Sequence, residues 1–449
     1  MGNVALRRLL AESGLSNGAL ARAIIAMGAK EGLHLATTTT SVKRMLDGAQ
    51  PRWPVPRLVA KALTMRLGYQ VGIEDCGFVD RSPVGDTFDG CACSPTAAGT
   101  IAIVVELSWR DMNRRNFLMG SAFTAAAFAQ PAWLALTVPP DHDRSHEGGA
   151  RIGSPDVEVL KSMVRQFELL HRRHGGGVSR PHVVQFVHHQ ARAALHGSYS
   201  DKVGRELYSA VAQATWLAGL NTVDSGRHAL GQRYYTQALN LALHAGDRLY
   251  AANVLAEMSR VTIEVGQVSG AVSDAQNAAG LARSALQVAN GRATPALGAY
   301  LHAIEARGLA LLGDAKGTAK ALDDARRSFE REGDEPDWMS FYGESDLMSD
   351  IGQCLRDTGR PQQGVAMLER ALAGLPEHRV TARAKTQIHI AAAYVELGDY
   401  DGADHVAGEA LQTIGGLSSS RIVERVKSLR RRANRRHADL DERIAGFLA

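Results

Sequence analysis

Cysteine is scarce in this chain: four residues, Cys76, Cys91, Cys93 and Cys354, in 449. That excludes a disulfide scaffold and points to a reducing cytoplasm. Cys76, Cys91 and Cys93 do not form a zinc clip, because Cys-x-Cys is not the usual Cys-x₂-Cys and no fourth ligand stands nearby. They read as incidental loop cysteines. The histidines are equally unproductive. His171 and His174 in "HRRHGGG" and the pair His188–His189 lack a His-Glu-x-x-His arrangement. The first two sit one helical turn apart before a glycine, where a cation suits the helix dipole. With no Gly-rich phosphate loop and no nucleophile elbow either, the expectation is a protein without catalytic residues, metal or cofactor.

Long hydrophobic runs are missing too. The opening "MGNVALRRLLAESG" contains no apolar signal region. The stretch "NRRNFLMGSAFTAAAFAQPAWLAL" puts Arg114 and Arg115 ahead of Phe117 and Leu118, as a twin-arginine export signal does, but it begins at Asn113. Gln130 and Pro131 cut its apolar run below the ~20 residues a membrane span needs. Trp109, Met112, Phe117, Phe123 and Phe128 instead predict a helix over about 107–130, buried against the C-terminal domain or a second subunit. A cytoplasmic protein, neither exported nor membrane-bound, is expected.

Aromatic residues make up only 6% of the chain, while alanine, leucine and glycine are plentiful, which favours close-packed helices. The length calls for two or three domains. The net charge of +4 hides an asymmetry. Residues 1–69 hold ten Lys or Arg against three acids, a net +7, and the remainder holds 41 against 44, a net −3. A basic head on a mildly acidic body suits contact between the head and a polyanion.

The head reads as four short helices. Val4, Leu6, Leu9 and Leu10 form one stripe, ended by Gly14. Ser16 caps the next, with Leu20, Ile24 and Ile25 inward. In "ATTTTSVKRMLDG" a threonine from Thr38 to Thr40 caps a third, which buries Val42, Met45 and Leu46. "PRWPVPRLVAKALTMRLG" starts a fourth at proline, with Val59, Leu63 and Leu67 inward. A recognition helix enters the major groove by its N-terminal end and needs small polar and basic side chains there. Thr38, Thr39, Thr40, Ser41, Lys43 and Arg44 meet that need, with Arg52 just beyond, and Ser16 and Asn17 are placed to offer backbone N–H groups to phosphate. A basic bundle that binds a protein instead stays open.

These residues carry a resemblance. "LRRLLAESGLSNGALARA" and "TTSVKRMLDG" resemble the Xre-type helix-turn-helix, and the continuation to "YQVGIEDCGF" is similar to the head of actinobacterial regulators that carry tetratricopeptide repeats. "MGAKEGLHLA" departs from that pattern by lengthening the turn before the third helix. The similar regulators also carry an Arg-Arg-x-Phe-Leu segment near the position of Arg114.

Behind the head, a template recurs five times: an apolar helix ending in glycine, a turn, and a second helix. The marker glycines are Gly219, Gly266, Gly313, Gly359 and Gly398, spaced 47, 47, 46 and 39 apart. This resembles tetratricopeptide repeats. The expected fold is all-α, a helix-turn-helix domain followed by a right-handed repeat superhelix. The expected domains are 1–75 (DNA binding), 76–151 (a linker holding the 107–130 helix) and 152–449 (repeats). "SRIVERVKSLRRRANRRH" is expected to cap the stack with its basic face solvated. Residues at fixed offsets before the marker glycines share one helix face and offer a groove: Glu206, Gln213, Trp216, Asn253, Arg260, Tyr300, Arg307, Asp346 and Gln353, with Ala392 and Lys385 in the last copies.

The architecture resembles that of RRNPP quorum-sensing regulators. The resemblance implies a homodimer on a double-stranded DNA operator and a short signalling peptide or small diffusible molecule in the groove. A protein–protein adaptor whose head no longer binds DNA is the alternative.

Overall fold

The computed structural model describes residues 2–30, 35–69, 71–79, 90–113, 123–137, 144–433 and 438–448. It is all-α: no strand forms among the described residues, only two isolated bridges. The chain divides into two compact units, a head of Met1–Asp89 with Gly148–Ala150 and a body of Gly90–Glu147 with Arg151–Ala449.

The head holds α1 (Val4–Ser13), α2 (Asn17–Lys30), α3 (Thr39–Leu46) and α4 (Val55–Leu67). Local signals set their ends. Gly14 closes α1 in the left-handed region at φ 65°, and the Ser16 hydroxyl accepts from the Ala19 N–H at 3.2 Å. Thr38 and Ser41 cap α3 reciprocally, each side chain bonding the other's backbone N–H at 3.2 Å. Leu6, Leu20, Ile24, Val42, Leu58 and Leu63 form a common core. Two expected inward residues are not there: Val4 is 77% and Ile25 39% exposed. Cys76 and Phe78 are buried in the same core, so the head runs past residue 75.

The expected linker is largely body. A helix α5 (Ala97–Asn113) buries Ile101, Val104, Leu107 and Trp109, and it packs against a helix of the first repeat hairpin. The helix expected over 107–130 is not one element. Its first part belongs to α5, Arg114, Arg115 and Phe117 lie outside the described residues, and Phe128 is buried in a 3₁₀ turn ahead of α6 (Ala129–Thr137). Proline at 131 is accommodated in the first turn of α6. Phe123 is half-buried, and Met112 is 40% exposed.

After α7 (Ser154–His174), α8 (Gly176–Phe186) and α9 (Arg192–Leu195) come five antiparallel hairpins: α10 (Asp201–Asp224) with α11 (His228–Ala245), α12 (Arg248–Ser269) with α13 (Val272–Ala289), α14 (Pro295–Leu311) with α15 (Ala315–Phe329), α16 (Glu344–Asp357) with α17 (Pro361–Gly374), and α18 (Val380–Leu397) with α19 (Tyr400–Ile414). Successive hairpins stack in chain order.

The structure corrects the repeat register. Gly313, Gly359 and Gly398 stand in turns with φ near 77–79°, but Gly219 and Gly266 lie inside α10 and α12. The left-handed turn glycines of those hairpins are Gly226 and Gly270, which makes the spacings 44, 43, 46 and 39. Gly219 serves helix packing instead: a Cβ on Gly231 of α11 would lie 3.1 Å from its carbonyl oxygen. In the corrected register the twelfth residue after every turn glycine is alanine: Ala238, Ala282, Ala325, Ala371 and Ala410. All five are fully buried, because a larger side chain has no room between stacked helices.

The hairpins wind until α18 returns to α7, where the Thr381 hydroxyl donates to the Arg172 carbonyl at 2.7 Å. A last pair follows, α20 (Ser420–Ala433) and α21 (Ala438–Leu448). α20 does not simply cap the stack. It packs against α10 and α18, and the Ser419 hydroxyl just ahead of it donates to Asp224 of α10 at 2.6 Å.

Candidate nucleic-acid interface and ligand cavity

In the head, the capping of α2 by Ser16 and of α3 by Thr38 leaves both helix N-termini open, with first-turn N–H groups that have no partner in their own helix. The two ends are neighbours: a Cβ on Gly18 would lie 3.6 Å from the Thr39 hydroxyl and 3.5 Å from the Arg22 guanidinium. Ser16, Thr38, Thr39, Thr40, Lys43, Arg44 and Arg52 are exposed, and Asn17 and Ser41 are half-buried. Val42 and Met45 hold the opposite face of α3 in the core. Arg7 pairs with Asp47 at 3.1 Å, but among the described residues no carboxylate pairs with Arg22, Lys43, Arg44 or Arg52. The predicted residues at the starts of α2 and α3 are therefore neighbours, with no carboxylate paired to their cations among the described residues, and Arg52 is an exposed cation ahead of α4.

In the body, the interior of the curve holds a cavity of about 180 Å³. Of the nine groove residues expected, Trp216, Arg260, Tyr300, Arg307 and Asp346 line it, joined by Lys385. The other four do not. Asn253 and Gln353 are buried inside their hairpins, and the Gln353 amide donates to the Ser349 carbonyl at 3.2 Å. Glu206 accepts from the Ser154 hydroxyl at 2.8 Å, and Gln213 is half-buried away from the cavity. Ala392 lines a second cavity, of about 340 Å³, which shares Arg421 and Arg425 with the first. The misplaced glycines do not explain every miss: Gln213 also stands thirteen residues before Gly226 and still lies off the cavity, whereas Glu257, thirteen before Gly270, lines it. A helix also turns 100° per residue, so one offset does not hold a single face along a winding stack.

The cavity wall is a charge network. Glu257 accepts from Arg260 Nε at 2.9 and 3.1 Å and from the Tyr300 hydroxyl. Glu264 accepts from Arg260 at 3.4 Å, from Arg421 and from Arg425. Asp350 lies 3.5 Å from Arg307 and accepts from the Tyr342 hydroxyl at 3.2 Å. Arg379 grips Asp346 through two bonds of 2.8 and 2.9 Å. Burial alone would raise the Glu264 carboxyl, but Arg421, Arg425 and Arg260 hold it well below the usual range. Burial pushes the Glu168 carboxyl up to about 7 against the pull of Arg172 and Arg165. Burial likewise lowers Lys385 to about 8.

Burial also lowers His171, which works against the cation that its position before the glycine suggested. Arg421 and Arg425 overturn the solvated reading of α20: Arg421 is 8% exposed. Their spacing of four places both on one helix face, as Glu257 and Glu264 share a face seven apart. Those pairings were the available signal.

The geometry defines an all-α protein with a basic four-helix head and a body of stacked hairpins around a charged cavity. A family model described as the SP15 N-terminal domain matches residues 6–79, the span of the head's core. No curated protein matches the chain. Among the described residues no helix is long and apolar enough to cross a membrane.

Proposed function

We propose that the protein is a cytoplasmic, DNA-binding transcription regulator of the Xre type, whose tetratricopeptide-like body receives a signal that controls operator binding. The observation that carries this reading is the unpaired, exposed set Thr39, Thr40, Lys43 and Arg44 on the first turns of α3. Small hydroxyls suit base edges, and unpaired cations release counterions from phosphate. Arg22 and the capped start of α2 suit an adjoining phosphate. The head acts as a homodimer on a two-fold site. The exposed Trp133 and Leu136 of α6 supply the body with an apolar patch for self-association. A ligand acts by binding one arrangement of the heads better than another. No catalytic step enters this reading.

The test compares the full chain with Lys43→Ala plus Arg44→Ala on a mixed-sequence duplex, by fluorescence anisotropy across a salt series. The expected result is a loss of affinity and a salt slope shallower by about 1.8, two phosphate contacts at ~0.9 each. Salt-insensitive or absent duplex binding by the unaltered protein would favour the adaptor reading instead.

A further inference from the structure

We propose that the cavity of about 180 Å³ is a receptor site for a small aromatic carboxylate, with Lys385 as its charge partner. This deepens the reading of the body as the signal receiver and does not depend on DNA binding by the head.

The charge inventory points to an anion. The five acids that line this cavity are already engaged: Glu168 by Arg172, Asp224 by the Gly176 N–H and the Ser419 hydroxyl, Glu257 by Arg260 and Tyr300, Asp346 by Arg379, and Asp350 by Arg307 and Tyr342. Glu264, just behind, is shared by three arginines. Lys385 is half-buried, and no carboxylate or hydrogen-bond acceptor holds its ammonium among the described residues. An unpaired cation drawn out of water is costly, and a bound anion offsets that cost. The Trp216 indole N–H and Arg421 Nε–H, on the same walls, are shielded from water and also lack acceptors. Both groups only donate. The unmet polar demands of all three residues are therefore for an acceptor.

The remaining wall selects the rest of the ligand. Tyr300 and Phe341 meet edge to face with centroids 5.4 Å apart, and with Trp216 they line the cavity with aromatic surface that suits a flat apolar body. The volume is below the roughly 300–1,000 Å³ of drug-sized pockets, which favours a small molecule over a peptide of several residues.

Calorimetric titration of the full chain with phenylacetate, phenylacetamide and phenethylamine tests this, because the three share a ring and differ in charge. Saturable binding of phenylacetate is expected, with both analogues weaker by about tenfold or more. Lys385→Met should lose phenylacetate by a similar factor, and Lys385→Arg should retain it, with thermal melting to show that both variants fold. The Lys43→Ala plus Arg44→Ala protein should bind phenylacetate as the unaltered chain does, which separates a failure here from a failure of the DNA reading. Equal binding of the three compounds would overturn the proposal. So would unchanged binding by Lys385→Met, or no binding of phenylacetate, benzoate or hexanoate at millimolar concentration.

Discussion

Lys43 and Arg44 of the head are exposed and, among the described residues, paired with no carboxylate, whereas Arg260, Arg421 and Arg425 of the body are drawn inward around Glu257 and Glu264. The same residue types thus serve opposite ends. A solvated cation contributes little to the fold and keeps its charge for a partner. A buried cation is tolerated only with its counter-ion, so its position becomes part of the structure. In the head the apolar stripes form the core and the Arg7–Asp47 pair stays exposed; in the body buried ion pairs also decide where α20 lies.

The sharpest way to break this contrast is Glu264→Gln. It keeps shape but leaves Arg421 and Arg425 without a counter-ion, and a loss of about 3–5 kcal/mol in denaturant unfolding is expected. A loss under about 1 kcal/mol would mean that the pairs are ornamental. The acid limb follows from the same group. Its folded carboxyl is held well below the usual range, so its contribution is complete above the ordinary carboxylate pKa and fades as pH falls through the depressed value. The unaltered protein should therefore lose stability on acidification more steeply than the Glu264→Gln variant, which acid melting curves would show.

A smaller effect is expected in the head. Thr38→Ala removes the reciprocal cap of α3 and should cost about 1 kcal/mol, read as a lower melting temperature. Smallest of all, Lys43→Ala plus Arg44→Ala should change stability by about 0.5 kcal/mol or less, as surface substitutions do, while still weakening duplex binding. A large stability loss there would show that the two cations are structural, and the contrast between head and body would fall.

Much of the head was legible before the structure. Gly14, Ser16 and Thr38 act within four residues of themselves, so their capping roles follow from local chemistry. The body was legible as repeats but not in register. Gly219 and Gly266 imitate turn glycines because close helix packing selects glycine as strongly as a left-handed turn does. Only the coordinates separate the two uses, with Gly226 and Gly270 at positive φ. The groove was half legible for a related reason: Trp216, Arg260, Tyr300, Arg307 and Asp346 reach the cavity, while Asn253 is buried away from it and Gln353 bonds Ser349 of its own helix.

What the amino-acid order determined by itself was the all-α class, the four short helices of the head and the caps that bound them, together with the basic surplus of the first 69 residues. Those depend on interactions within a turn or two of helix. Tertiary structure alone decided that Arg421 meets Glu264 across 157 residues and that no carboxylate among the described residues pairs with Lys385. Such encounters depend on the angle accumulated over five stacked hairpins, which no local pattern records.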